Sequence, residues 1–429
     1  MFLTRRHFVA GSAAGALFHA AGCQAAQAGA LITPEAFGAV GDGLTDDYPA
    51  FQRMVAAVNS AGRGTVTLTP GRTYFLNTYV RANNGVTDVT FRGCSGLIIE
   101  GNGAAISTKG DFFRDERTTR GLAGLRFEDC SNVQLRNLQL IGNVQRTTRP
   151  ATLTEAPTHG LTFGGCSDVT LDGVTARHFA ADGLYIRESM VATGGRYRAS
   201  RRFTVRNSRF LFNARQGLSV IQLRDATFDG CDFSYTGYID AQSNAGAYGN
   251  HAPSAGVDIE PNYTPSTRRA VDFLTGNINL RECRMMGNLG GALLAAEVHG
   301  TEPTMENVTI EACMMRASDV SPLRYGMIFD APGGVVTGCT LELGDKTVFL
   351  GWYGQSSANP TFSGNTVSGT GKGLSQALLI VRQTRGAPVV EHNRFIALTG
   401  GRGALPSEAQ LVQVANTRAL VRGNKFTTK

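Results

Sequence analysis

The sequence has little of what marks several common protein classes. Its 429 residues include one tryptophan and 14 prolines, and no Lys/Arg run is dense enough to form a nucleic-acid-binding arm. No uninterrupted apolar segment is long enough to span a bilayer as a helix. The eight cysteines form no CxxC pair or Cys/His cluster, which argues against a zinc site. These absences disfavour a nucleic-acid-binding, membrane-spanning or zinc-stabilised protein.

Glycine and apolar residues are abundant by contrast. There are 53 glycines, and 42% of the residues are hydrophobic. This composition indicates many tight turns between short strands, packed around a large core. The formal charge of +7, with a pI near 9.1, weakly favours an anionic partner.

The first 30 residues are typical of an export signal. Paired arginines at positions 5–6 precede a weakly apolar run at 9–21, as in twin-arginine signals, which export folded proteins. Small residues at 26–28 provide a cleavage site. The alternative is a lipid anchor at Cys23, although alanine stands where a lipobox has a larger aliphatic residue. We expect a periplasmic or extracellular protein whose signal occupies residues 1–30.

A characteristic order of elements follows the signal. Residues 37–47, FGAVGDGLTDD, precede apolar residues at helical spacing over 50–58, and then a strand-like run. Asp46 or Asp47 is the expected N-cap of this helix, and Gly62 its expected end.

This order, continued by GTVTLTPGRTYFL, resembles the start of the pectate-lyase-like family, which includes rhamnogalacturonases and uronan epimerases. The resemblance implies an all-β fold, a single-stranded right-handed parallel β-helix with an N-terminal capping helix. It also implies that Asp42, Asp46 and Asp47 are structural. The NTD, GHG and RIK elements of polygalacturonases and the DPH element of alginate epimerases are absent, so no catalytic residue is carried over.

A short repeated unit supports a solenoid independently of the resemblance. It reads apolar, any residue, small, then Cys, Asn or Ser, as in residues 99–102, 228–231 and 336–339, at intervals of about 23 to 36 residues. Such a period indicates coils that bury their faces by stacking on one another. With no interior linker, we expect one domain over 31–429, whose residues 31–75 form the cap and first strands.

Seven cysteines fall within these repeats. One set, spaced by 36 residues, is Cys94, Cys130 and Cys166; the other shares its place with asparagines and comprises Cys231, Cys283, Cys313, Cys339, Asn365, Asn393 and Asn424. Small residues that stack in interior turns explain both sets. We expect buried free thiols, with disulfides between stacked neighbours as the alternative.

A second strand recurs between these units. Its copies lie at residues 159–163, 182–187, 216–220, 256–260, 291–294 and 326–330. Since side chains alternate across a strand, stacking in register places Thr162, Tyr185, Ser219 and Asp258 in one outward column. Longer loops at 189–201, 237–254 and 262–276 are expected to wall a groove beside it.

Asp258 and Glu260 are the leading catalytic candidates. They share one face of a short strand, opposite the apolar Val257 and Ile259, with Cα atoms about 6.5–7 Å apart. Two carboxylates at that spacing suit an acid/base pair or a metal site; the alternative is a solvated doublet or a salt bridge.

Other polar residues near this strand complete the predicted site. Tyr185 is a second candidate, as an acid or base, and Arg187 a third, as a group that neutralises a uronate. The alternative, which explains Tyr185 and Arg187 equally well, is that both are ordinary polar residues of the surface. The predicted substrate-binding residues are Arg215, Gln216, Gln222, His251, Tyr263 and Asp330.

These observations predict a secreted enzyme that cleaves an acidic, uronic-acid-containing polysaccharide, foremost by β-elimination. The first alternative is a glycoside hydrolase that uses Asp258 and Glu260 as its acid/base pair. The second is a non-catalytic glycan-binding or surface solenoid, because fold does not dictate function. We expect a monomer that needs no cofactor, with Ca²⁺ as the cation that paired carboxylates can take.

Overall fold

Strands in stacked parallel sheets make up most of the computed structural model of this chain. The structure describes residues 31–77, 81–82, 85–86, 89–108, 122–144, 158–191, 193, 196–238, 253–261, 274–296, 305–351, 359–370, 377–382, 386–398, 407–415 and 417–429. The predicted export signal and Cys23 lie outside this part.

Sheet 1 is the longest sheet in the described part, with 13 parallel strands. In order they are β1 (Leu31–Ile32), β3 (Gly64–Thr67), β8 (Ser95–Glu100), β11 (Ser131–Arg136), β14 (Ser167–Asp172), β17 (Ser200–Arg206), β20 (Leu223–Asp229), β22 (Thr275–Arg281), β25 (Met305–Glu311), β28 (Val335–Thr337), β31 (Thr361–Ser363), β34 (Val389–Glu391) and β37 (Leu420–Arg422).

Sheet 2 has 11 described strands, also parallel. In order they are β7 (Thr90–Arg92), β10 (Leu122–Glu128), β13 (Thr158–Gly164), β16 (Asp182–Arg187), β19 (Gln216–Val220), β21 (Val257–Ile259), β24 (Leu293–Ala296), β27 (Tyr325–Asp330), β30 (Thr347–Leu350), β33 (Leu379–Arg382) and β36 (Val412–Ala415).

Between sheet 1 and sheet 2, successive coils pass through one of two six-stranded sheets. Sheet 3 contains β2 (Asp42–Asp46), β4 (Thr73–Leu76), β9 (Ala105–Thr108), β12 (Gln139–Ile141), β15 (Thr175–Arg177) and β18 (Arg209–Leu211). Sheet 4 contains β23 (Arg284–Asn288), β26 (Met314–Ala317), β29 (Thr340–Glu342), β32 (Thr366–Gly369), β35 (Arg394–Ala397) and β38 (Lys425–Thr428). Bridges through Asp232 connect them, and β5 (Arg81–Ala82) pairs antiparallel with β6 (Gly85–Val86). The chain therefore visits sheet 1, then sheet 3 or 4, then sheet 2, as a parallel β-helix requires.

The N-terminal cap has the predicted form. Helix α1 (Tyr48–Ala61) begins after Asp47 and ends at Gly62, whose φ is +68°. Asp47 accepts hydrogen bonds from the backbone N–H groups of Val40 at 2.6 Å and Gly41 at 3.1 Å, which confirms its structural role. A 3₁₀ helix (Pro34–Phe37) precedes α1, and a second short helix, α2 (Glu408–Leu411), precedes β36.

Stacked apolar side chains fill the space between the sheets. Phe91, Phe127 and Phe163, at equivalent places in β7, β10 and β13, stack with ring centroids 5.2 and 4.7 Å apart. Because parallel strands repeat every 4.7–4.9 Å, identical residues in successive coils meet face to face. Each coil thus buries its interior only against its neighbours.

The turns between sheets 1 and 4 carry the predicted Cys/Asn column. The N–H groups of Cys339, Asn365 and Asn393 each donate 2.9 Å hydrogen bonds to the side-chain oxygen of the next asparagine, ending at Asn424. In the cysteine part, the Cys313 N–H meets the Cys339 thiol at 3.4 Å. The seven cysteines of the described part are free and buried, so the interior-turn interpretation is confirmed.

Candidate functional site

Three long connections of the chain join strands of sheet 2 to their neighbours along the sequence. Residues 142–157 join β12 to β13, residues 230–256 join β20 to β21, and residues 260–274 join β21 to β22. Every one of these connections begins or ends at a sheet 2 strand, whereas the turns between sheets 1 and 3 are two residues long in several coils. The predicted loops at 237–254 and 262–276 lie largely outside the described residues, so their position beside the strand that carries Asp258 stays a prediction. Residues 200–201 and 275–276, predicted as loop ends, belong to β17 and β22.

The outward column predicted on sheet 2 is present in the register of its strands. Thr162 pairs with Tyr185, Tyr185 with Ser219, and Ser219 with Asp258. Beyond β21 the column becomes apolar, with Leu294 and Ile328. This column is therefore polar only as far as β21, where the acidic doublet lies.

Asp258 differs from the expected solvent-facing carboxylate. Its side chain leaves the strand opposite the core residues Val257 and Ile259, but the residue is only 4% exposed. Gln216 donates from Nε2 to Oδ2 of Asp258. Burial, followed by the nearby charge of Glu260, raises the pKa of Asp258 well above its ordinary value. The prediction that the Asp258 side chain points away from the core is confirmed, but its predicted solvent exposure is wrong. Alternation along a strand gives the direction of a side chain and no information on what covers it.

Glu260 is more accessible than Asp258. It is partly exposed at the end of β21, and its backbone N–H donates to the carbonyl of Val220 at 3.0 Å. The two carboxyl groups interact electrostatically. The pair therefore combines a buried carboxyl that favours its protonated form with a second carboxyl that reaches solvent.

A buried ion pair supports the column from one side. Asp182 is fully buried and accepts two 2.8 Å hydrogen bonds from Arg215. His159 Nδ1 lies 3.1 Å from Asp182 Oδ2, and its ring stacks on Tyr185 with centroids 4.7 Å apart. Burial opposes the charge of Asp182, but Arg215 and then His159 outweigh it, so the pKa of Asp182 is lowered.

These contacts change the interpretation of two predicted residues. The guanidinium of Arg215 is engaged with Asp182, so it positions this face of the site rather than standing open to a sugar. Burial raises the pKa of Tyr185 to about 12, although Arg215 and Arg187 oppose the shift. Tyr185 therefore stays protonated at neutral pH and is a hydrogen-bond donor.

A second charged group lies at the other edge of the column. Arg187 contacts Glu128 at 2.5 Å and Arg126 approaches the same oxygen at 3.5 Å. Burial raises the pKa of Glu128, while the charges of the two arginines lower it in part. Two guanidinium groups thus share the carboxylate of Glu128.

The remaining predicted residues are spread along the face. Gln222, after β19, is 4% exposed, and Asp330, at the end of β27, is fully buried. Asp330 pairs in register with Ala296, two strands from β21, about 9–10 Å away. His251 and Tyr263 lie outside the described residues.

The sequence analysis missed Arg126, Glu128, His159 and Asp182 as members of the site. The signal was present: residues 124–128 form an earlier copy of the second strand, in register with 160–164. Extending the repeat by one coil towards the N-terminus places Arg126 in the column of Tyr185, and Glu128 in that of Arg187.

In the part of the chain that the structure describes, no group of three or more His, Cys, Asp or Glu side chains is arranged to hold a metal ion. Among the helices of that part, none is both long and apolar enough to cross a membrane.

Comparison with known proteins agrees with the fold. A family model described as the right handed beta helix region matches residues 77–248. Solved structures that resemble the chain include the tailspike protein of Escherichia coli bacteriophage HK620, in complex with a pentasaccharide (TM-score 0.60, 13% identity, 92% of this chain and 65% of that chain). ORF18 of Geobacillus virus E2 is similar as well (TM-score 0.51, 14% identity, 85% of this chain and 59% of that chain). The fold is a right-handed parallel β-helix.

Two curated sequences are also similar. A capsule KN3-specific depolymerase of Klebsiella phage KN3-1 is 30% identical over 161 residues, 35% of this chain and 18% of the phage protein. The uncharacterized protein YclG of Bacillus subtilis is 24% identical over 269 residues, 61% of this chain and 43% of YclG. The chain spans less than half the length of either relative.

Proposed function

We propose that this chain is an exported glycoside hydrolase that cleaves an acidic polysaccharide on the outer face of sheet 2. Asp258 is the general acid and Glu260 the second carboxylate. The observation that carries the proposal is the unequal pair: a buried carboxyl whose pKa is raised, next to one that reaches solvent.

The unequal pair matches the division of labour in glycoside hydrolysis. One carboxylic acid must be protonated to donate to the leaving oxygen, and the other must be ionised to act as base or nucleophile. Burial and the charge of Glu260 keep the proton on Asp258. The amide of Gln216 holds the Asp258 carboxyl in place through its hydrogen bond.

A polysaccharide is the substrate class that the comparisons support. The Klebsiella phage relative is named a capsule depolymerase, and the HK620 tailspike was solved with a pentasaccharide. An acidic polymer is favoured by the net charge of +7. It is also favoured by Arg126 and Arg187, which share the single carboxylate of Glu128; Arg187 lies on β16, two strands from the strand that carries Asp258.

The contacts favour hydrolysis over the β-elimination that the sequence first indicates. In an elimination, Tyr185 would serve as the base and Arg187 would neutralise the uronate. A phenol whose pKa is about 12 is seldom ionised at neutral pH, and the Arg187 guanidinium is bound to Glu128 at 2.5 Å. β-Elimination remains the second candidate and is separable by its product.

Product analysis tests the proposal. The full chain is incubated with capsular and uronic-acid polymers while new reducing ends and the absorbance of unsaturated sugars are followed together. We expect reducing ends without that absorbance. Asp258→Asn and Glu260→Gln should each lower kcat by about 100-fold or more, whereas the matched variant Glu311→Gln on sheet 1 should not. The rate should also fall as pH rises through the raised pKa of Asp258.

The opposite outcomes are equally specific. Unsaturated products would replace hydrolysis with β-elimination. Full activity of the Asp258→Asn variant would remove Asp258 as the acid. Glycan binding without turnover of any polymer would favour the non-catalytic solenoid.

A further inference from the structure

The outer face of sheet 1 contains a polar groove that the sequence analysis did not anticipate. Its volume is about 690 Å³, and it crosses β11, β14, β17, β20 and β22. The floor is one outward column, in register from strand to strand: Gln134, Thr170, Thr204, Thr227 and Asn279. We call this the sheet 1 groove.

One wall of the sheet 1 groove is a second outward column of polar residues. Arg202 donates two 2.6 Å hydrogen bonds to Asp168, and Asn277 donates one of 2.8 Å to Asp225. These residues all adopt positive φ, between 52° and 58°. The wall is therefore fixed by contacts between successive coils.

The other side is bounded by a column in which acid and arginine alternate over seven consecutive coils. In order, its members are Glu100, Arg136, Asp172, Arg206, Asp229, Arg281 and Glu311. Three contacts of 2.5, 2.8 and 2.6 Å join Arg136 to Glu100, Arg206 to Asp172 and Arg281 to Asp229. We call this column the charge ladder.

The charge pattern decides the class of ligand. The arginines beside the floor are hydrogen-bonded to acids of the neighbouring coils, and acids outnumber arginines in both columns. This face therefore has no excess positive charge with which to attract a polyanion. Its hydroxyl and amide groups, by contrast, both donate and accept hydrogen bonds. These features suit an uncharged, hydroxyl-rich ligand.

The repeat of the floor matches an extended polymer. Equivalent side chains stand about 4.8 Å apart along the solenoid axis, comparable with the length of one sugar residue in an extended glycan. Thr204 is exposed, and Thr170 and Thr227 are partly exposed. We infer that the sheet 1 groove is a non-catalytic binding site for an uncharged segment of an extended glycan, which lies along the axis.

This site is independent of the proposed hydrolysis. Its strands belong to sheet 1, whereas Asp258 and Glu260 belong to the sheet 2 face. The core of the solenoid separates the two outer faces. A binding defect in the groove can therefore be measured in a chain with intact catalytic carboxylates, and a loss of hydrolysis can be measured in a chain with an intact groove.

Affinity electrophoresis of the full chain tests the inference. Gels contain dextran, arabinoxylan, mixed-linkage β-glucan or galactomannan as uncharged probes, and polygalacturonate as the anionic one. We expect at least one uncharged glycan to retard the chain. Thr204→Lys should weaken this binding about tenfold, the effect of one or two lost hydrogen bonds. Thr361→Lys, in the same column but outside the groove, should leave it unchanged.

Glu260→Gln separates this inference from the proposed function, because that variant should bind the uncharged glycan as wild type does. The inference is overturned if none of the four probes retards the chain, or if Thr204→Lys binds as tightly as wild type. A concentration-dependent dimer that Thr204→Lys abolishes would also overturn it, and would assign the face to a second copy of the chain.

Discussion

Two buried carboxyl groups on sheet 2 hold their protons to different extents because their neighbours differ. Asp182 receives a guanidinium fork from Arg215, which lowers its pKa. Within the described residues, Asp258 receives one hydrogen bond, from the amide of Gln216, and faces Glu260. Burial and the charge of Glu260 outweigh the charge of Arg215, so the pKa of Asp258 is raised. Burial alone therefore does not set the charge state; the identity of the partner does.

Replacement of Asp182 by Asn should be strongly destabilising. It removes the carboxylate that accepts two hydrogen bonds from the nearly buried guanidinium of Arg215, which costs about 3–5 kcal/mol of unfolding free energy. Since the pKa of Asp182 is lowered in the folded state, its stabilisation is present above the unfolded pKa and is lost as pH falls through the folded one. Urea denaturation should show the difference from wild type shrinking below about pH 4.

Asp168→Asn is the matched control for that prediction. Asp168 also accepts two hydrogen bonds from an arginine, Arg202, but the side chains are 37% and 47% exposed. Its loss should cost less than about 1 kcal/mol. Equal losses for the two variants would show that the Asp182–Arg215 pair is not the strong contact described here.

At the residue scale, the direction in which a strand side chain points could be predicted from the sequence, but its hydrogen-bond partners could not. Alternation along residues 256–260 placed Asp258 outward correctly. It did not show that Arg215 is bound by Asp182, 33 positions earlier, or that Arg187 is bound by Glu128, 59 positions earlier. Such pairs depend on which coils are neighbours and on rotamers, and neither is encoded in the local pattern.

At the scale of elements, the turn column shows how one position tolerates two residue types. Asparagine both accepts from the preceding coil and donates back, as Asn393 does to the carbonyl of Phe362 at 2.8 Å. Cysteine fills the same space but forms longer contacts. This column could be predicted from the sequence because the repeat places cysteine and asparagine at the same position of successive coils. The register of the sheet 2 strands could be predicted for the same reason.

Asn393→Ala should therefore destabilise the C-terminal coils. It leaves the N–H of Asn365 and the carbonyl of Phe362 without their partner, at about 1–3 kcal/mol for each buried group. Hydrogen exchange at the Asn365 amide should accelerate accordingly. Cys339→Ala removes the 3.4 Å contact of the thiol with the Cys313 N–H and its contacts of 3.6 and 3.3 Å with the carbonyls of Ile310 and Thr337. Because these thiol contacts are weak hydrogen bonds, the variant should accelerate exchange at Cys313 much less; equal effects would contradict the distinction.

At the scale of the whole molecule, the two outer faces differ in how their charged residues are arranged. The sheet 2 face carries the arginine pair around Glu128, and the chain as a whole is at +7. The sheet 1 face balances arginines with acids along two columns. The sequence predicted the solenoid and the basic balance, but net charge is a sum over residues and gives no information on which face carries it.

Salt should therefore act on the two faces differently. Between about 10 and 150 mM NaCl, screening should raise the KM for an anionic polymer by roughly tenfold. Binding of an uncharged glycan in the sheet 1 groove should not change over the same range. A KM that is independent of salt would show that long-range electrostatic attraction does not contribute to binding of the anionic polymer.

The charge ladder also bears on how such a chain can change length over evolutionary time. Excision of the single coil that carries Asp172 would bring Arg136 beside Arg206, and like charges placed directly opposite are destabilising. Excision of two coils would restore an opposite pair, Arg136 beside Asp229. Along these seven coils, a gene rearrangement that adds or removes an even number of coils preserves the pairing of opposite charges, whereas an odd number breaks it.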